Sequence, residues 1–152
     1  MTVYPSYFLV FVDESGTDKR IGFRRRGWSL KGTAPTHSDS TYNNRDTRWQ
    51  ILPAYTQEGV LTAAVYNGYT DEEIFADWLE QNLLPLMCPF SDPRSVLVLD
   101  NASFYYSDRI ESLCRQRGVI IKYLPPYSPD LNPIEEFFAE LKAYVKKSFL
   151  LY

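Results

Sequence analysis

Two apolar runs that end in aspartate frame the pattern of this chain. Tyr7 to Asp13 (YFLVFVD) and Ser95 to Asp100 (SVLVLD) are continuous, β-branched and short, with no polar alternation. Each predicts a strand buried on both faces, the first running into a Ser-Gly turn. Between them, Trp49–Thr56 and Val60–Tyr66 flank a Gln-Glu-Gly turn, which predicts an antiparallel pair. Phe23 and Trp28 bracket an Arg-rich stretch that reads as a hairpin arm, and the polar, turn-rich residues from Thr33 to Arg48 read as an exposed loop. Apolar residues at 74, 75, 78, 79 and 83 predict a helix over Asp71–Met87 with Thr70 as its cap. A second amphipathic helix is expected over Ser107–Arg117, stopped by Gly118, and a last strand over Val119–Leu124. After the stiff stretch Pro125–Pro133, apolar positions 134, 137, 138, 141, 145 and 149 predict a long helix from Ile134 to about Leu150, with Asn132 as cap and Pro133 as its first residue. Antiparallel strands followed by alternating helices and strands predict a mixed α/β sheet with helices packed on its faces, its site lying beyond the carboxyl ends of the strands.

Composition narrows the picture. At 152 residues and 45% hydrophobic content the chain has enough apolar surface for one core, so 1–152 is expected to be a single domain. No segment approaches the roughly 20 apolar residues of a membrane span, and the start has no basic flank of a secretory signal, so a soluble protein with no membrane partner is expected. Two widely spaced cysteines, Cys88 and Cys114, and a single histidine, His37, point to a reduced, intracellular setting and away from a structural zinc site. Any metal must then be held by oxygen.

The formal charge of −3 lacks the basic excess of a self-sufficient DNA-binding domain. Charge is nevertheless uneven, since from Thr17 to Gly32 the bases Lys19, Arg20, Arg24, Arg25, Arg26 and Lys31 face one acid, Asp18. That segment is either a solvated loop face or a phosphate-contacting surface.

Asp13 and Asp100 close strands of the kind found in the middle of a sheet, so the fold is expected to set the two carboxylates side by side. Like charges buried together raise a carboxylate pKa or require a cation, and a hard divalent ion with oxygen ligands meets that requirement. The last helix offers a third acid. At about 100° per residue from Ile134, Glu135 falls beside the apolar stripe and Glu136 about 200° away, toward solvent. Only Glu135 is placed to lean over the sheet edge.

Four stretches then resemble the DDE endonuclease domain of the mariner superfamily of transposases, including bacterial insertion-sequence relatives: FVDESG (11–16), RRGWSLKG (25–32), LVLDNASF (97–104) and LPPYSPDLNPIEEFFAELK (124–142). The last is the most specific, and the 34 residues between Asp100 and Glu135 match the spacing common in that family. The resemblance implies a ribonuclease-H-like fold, with antiparallel first strands, then parallel strands, and helices on both faces. It implies Asp13, Asp100 and Glu135 as catalytic and metal-binding residues, holding two Mg²⁺ or Mn²⁺ ions for DNA phosphodiester hydrolysis and strand transfer. It also implies transposon-end and target DNA as partners, a homodimer in the full-length form, a nuclear location in a eukaryotic host or a cytoplasmic one otherwise, and Arg24, Arg25, Arg26 and Lys31 as nucleic-acid contacts.

Two departures qualify the match. Relatives often read DNASFH where this chain has Tyr105, and a phenol is a poor general base near neutral pH. Relatives also carry helix-turn-helix modules before the first catalytic strand, and this chain starts almost at that strand. The rival readings are a domesticated or inactive core serving as a nucleic-acid or protein interaction module, and a different ribonuclease-H-like nuclease, against which the NPIE stretch speaks.

Overall fold

A computed structural model of the chain describes residues 3–17, 31–32, 48–102 and 105–149. Among these the strands are β1 (Leu9–Val12), β2 (Ser15–Thr17), β3 (Trp49–Thr56), β4 (Gly59–Asn67), β5 (Val96–Leu99) and β6 (Ile120–Tyr123), and the α-helices are α1 (Glu72–Trp78), α2 (Asp108–Gln116) and α3 (Ile134–Phe149). β4 runs antiparallel to β3 along its whole length, and β1 lies antiparallel on the other edge of β3. β5 is parallel to β1, and β6 is parallel to β5. The expected change from antiparallel to parallel pairing is therefore present.

The central position of β1 and β5 follows from their side chains. Val96, Leu97, Val98 and Leu99 are all buried, as are Val10 and Val12. Burying each such side chain stabilises the fold by about 1.5–3 kcal/mol, so these two strands contribute heavily to the core. One face of the sheet, carrying Val10, Val12, Leu52, Ala54, Leu97 and Leu99, packs with Phe75, Leu79, Ile110 and Cys114 from the α1 and α2 region. The opposite face receives α3: Phe137 stacks on Tyr55 of β3 with ring centroids 5.9 Å apart, and Ile134 and Phe138 are buried outside the main cluster. Helices thus cover both faces.

Several boundaries differ from the sequence reading. Residues 6–8 form a short 3-10 turn, so the first strand begins at Leu9. The expected Ser-Gly turn is instead β2, which pairs with β3 in a register that continues that of β1. Asp13 and Glu14 are thus an interruption in one strand edge. The cap of α1 is Asp71, whose Oδ1 accepts the Ile74 N–H at 2.8 Å, while the Thr70 hydroxyl is taken by that of Tyr66. α1 ends at Trp78 and gives way to a wider turn over 79–83 and a 3-10 turn over 84–86, where Pro85 lacks the N–H that a continuing helix needs. The hairpin arm expected near Phe23–Trp28 and most of the loop expected from Thr33 lie outside the described residues.

Candidate active site

Because β1 and β5 are parallel and in register, Val12 opposite Leu99, the residues that follow them emerge next to each other. These are Asp13 and Asp100. α3 begins beside them because of Asn132: its Oδ1 accepts the Ile134 N–H at 3.4 Å, and its backbone carbonyl accepts the Glu135 N–H at 3.2 Å. Asn132 thus caps the helix as expected, although the helix proper starts at Ile134 rather than Pro133. The outcome is a cavity of about 440 Å³ lined by Asp13, Asp100 and Glu135 together with Asn132 and the wall Leu124–Pro129. In that wall Tyr127 holds a left-handed backbone with φ of 55° between proline-bearing neighbours, a conformation that is costly for a non-glycine residue and often marks a functional segment.

The three acids differ in setting. Asp13 is 8% exposed, and each of its oxygens has a donor: Oδ1 accepts the Glu14 N–H at 2.8 Å and Oδ2 accepts Asn132 Nδ2 at 3.3 Å. Burial pushes its pKa up to about 7, aided by the charges of Asp100, Glu14 and Glu135 and opposed by the Glu14 N–H. Asp100 is half-buried and its Oδ1 accepts the Ala102 N–H at 3.0 Å. Glu135 is exposed at the first turn of α3 and lines the cavity, whereas the equally exposed Glu136 does not. The carboxylates do not close on a single point: among the described residues no three His, Cys, Asp or Glu side chains stand close enough to hold one ion together. Uncompensated like charges repel, which favours such spreading. The donors are hard oxygens, and the strained ionisation of Asp13 is what a nearby cation relieves, so the residues suit a divalent metal.

Two further residues belong to the neighbourhood: Glu14, which no motif singles out, and Tyr105, which the motif marks only as a departure from His. Glu14 points to the opposite face from Asp13, where its Oε2 accepts the Tyr105 hydroxyl. Tyr105 is fully buried, with its ring edge-on to Phe75 at 4.7 Å, and is absent from the cavity wall. Burial, followed by the charge of Glu14, raises its pKa well above the usual value, so its phenol is a donor and not a base. Of the expected nucleic-acid contacts, Lys31 sits exposed in a turn with Gly32, and Arg24, Arg25 and Arg26 lie outside the described residues.

Comparison with known proteins gives the family and the fold. Residues 8–150 match the family model described as DDE superfamily endonuclease. Among curated proteins none matches the chain in sequence. Among solved structures the chain is similar to the Mos1 strand transfer complex (TM-score 0.68, 17% identity, covering 91% of this chain and 41% of that one). It is also similar to the Mos1 mariner paired end complex with Mn (0.64, 16%, 90% and 42%). A third similar structure is the intasome of simian T-cell lymphotropic virus in complex with PP2A regulatory subunit B56 gamma (0.61, 16%, 94% and 41%). The chain spans about two fifths of the length of each, and the shared fold is the ribonuclease-H-like one of the mariner catalytic domain.

Proposed function

From its place in the DDE superfamily endonuclease family, to which this chain belongs, we propose that it is the catalytic core of a transposase that cuts DNA and joins its strands with the help of divalent metal. The observation that carries the proposal is the meeting of Asp13, Asp100 and Glu135, remote in sequence, on the wall of one cavity. Asp13 and Asp100 would hold the metal from the strand ends and Glu135 from the helix start. A pair of Mg²⁺ or Mn²⁺ ions held there would supply Lewis-acid activation of water or a DNA 3′-hydroxyl and stabilisation of the leaving oxygen. The Mos1 mariner complex with Mn supports this choice of ion.

The protein's own contribution is positional. Asp13, held at both oxygens, keeps one orientation, so little reorganisation is needed when charge develops on a phosphodiester. The proline-bearing wall Pro125–Pro129 confines the substrate side of the cavity and aims the start of α3. Among the described residues the cavity is lined by carboxylates without His or Cys, which suits such chemistry. The reading extends to DNA ends and target as substrates, a second copy of the chain as partner, basic contacts at Arg24, Arg25, Arg26 and Lys31, and an intracellular place of action.

Incubation with Mn²⁺ and supercoiled or branched DNA tests the proposal, comparing the wild type with Asp100→Ala. Metal-dependent nicking that disappears in the variant is expected. Equal cleavage by both proteins, which would trace the nicking to a contaminant, or none by the wild type at any metal concentration, overturns the proposal in favour of an interaction module.

A further inference from the structure

A chain of contacts runs from Asp100 to Asp13 beneath the cavity. Asp100 Oδ1 accepts the Ala102 N–H at 3.0 Å, and the Ala102 carbonyl accepts the Tyr105 N–H at 3.1 Å. The Tyr105 hydroxyl donates to Glu14 Oε2, and the Glu14 N–H donates to Asp13 Oδ1 at 2.8 Å. A fifth bond anchors the middle, from the Tyr123 hydroxyl at the end of β6 to the Tyr105 carbonyl at 3.1 Å. We infer that Tyr105 is a positioning residue, which through Glu14 fixes the spacing of Asp13 and Asp100 and keeps the Glu14 carboxylate on the face of the sheet away from the cavity. The inference rests on the metal-binding reading of the triad.

The need for such a strut follows from the sheet. β1 stops at Val12 and β2 resumes at Ser15, so the residue pair carrying the first acid lies between ladder segments and depends on side chains to hold its course. Glu14 supplies the handle and Tyr105 the grip. The ring of Tyr105 is fully buried, so the phenol oxygen has a fixed address. Released from it, Glu14 would let the 13–14 segment shift, and its carboxylate would compete with the ordered ligands for a cation. Residues that orient metal ligands from behind typically change metal affinity by about 10- to 100-fold when removed.

Mn²⁺ titration of the whole chain, by calorimetry or electron paramagnetic resonance well below each variant's unfolding midpoint, tests this directly. Tyr105→Phe keeps the buried ring and removes only the donor; its Mn²⁺ dissociation constant is expected to rise about tenfold or more. Glu14→Ala is expected to do the same from the more accessible end of the bond, which keeps the test open if the buried substitution fails to fold. The double variant is expected to be no weaker than the worse single one, because both remove the same bond, and Glu14→Gln, which retains an acceptor, is expected to fall between. Wild-type affinity in the single variants, or fully additive losses in the double, overturns the strut if Asp100→Asn still weakens binding. Undiminished binding in Asp100→Asn instead overturns the triad reading, and the strut with it.

Discussion

Asn132 Nδ2 donates to Asp13 Oδ2 at 3.3 Å, joining residues 119 positions apart, while Asn132 Oδ1 accepts the Ile134 N–H at the start of α3. One side chain therefore ties the first acid of the site to the helix that carries the third. Its two roles are separable by substitution. Asn132→Ala removes both and is expected to lower folding stability by about 0.5–2 kcal/mol, the usual loss for a helix cap. Asn132→Ser retains a capping oxygen but has no amide to reach Asp13. It is expected to fold nearly as well as the wild type in urea denaturation while losing about tenfold in Mn²⁺-dependent cleavage. Wild-type cleavage by the Ser variant would reduce Asn132 to a cap.

Much of this arrangement is readable in the sequence, and the physical reasons mark where it stops. Burial on both faces leaves β5 and most of β1 no polar position, so their runs stand out, and the periodicity of α3 places Glu135 beside its buried stripe. Local rules fail where two residues compete for one job, as Thr70 and Asp71 do for the cap of α1; the Tyr66 hydroxyl decides the matter from across a loop. Contacts at long separation leave no trace in spacing. Tyr105 reads as a misplaced base until its partner, 91 positions away, shows it to be a donor on the other face of the sheet. The Asn132–Asp13 bond is hidden for the same reason, although the cap role of Asn132 is local and was accessible.

The raised pKa of Asp13 has a consequence for stability in the absence of metal. Its folded value of about 7 lies above the ordinary 3.8, so between those limits the native state binds more protons than the unfolded chain. Stability from this group is therefore fully present below about pH 4 and is lost as pH rises to about 7, beyond which the loss is constant. Glu14, raised mainly by its own burial, acts in the same direction. Metal-free protein is expected to be more stable to urea at pH 5 than at pH 8, with this group contributing more than about 1 kcal/mol of the difference. Asp13→Asn should shrink that difference, and millimolar Mn²⁺ should restore stability at pH 8 by binding the folded state alone. A denaturation midpoint that rises steadily from pH 5 to pH 8, in wild type and variant alike, would contradict the assignment.

Glu135 and Glu136 provide an internal control. They are adjacent, equally charged, both exposed and both in the first turn of α3, so each interacts favourably with the positive end of the helix dipole. Replacing either by Gln removes the same charge from the protein and nearly the same dipole interaction. They differ in direction: about 100° of helical rotation separates them, which sets Glu135 on the cavity wall and Glu136 off it. Glu135→Gln is expected to lower Mn²⁺-dependent cleavage by about a hundredfold or more, since ligation of a catalytic metal is worth several kcal/mol. Glu136→Gln is expected to stay within about twofold of the wild type, the range of an ordinary surface change. Side-by-side cleavage rates with thermal midpoints decide the matter: equal losses would mean that charge near the helix start, and not a ligand at position 135, is what the reaction requires.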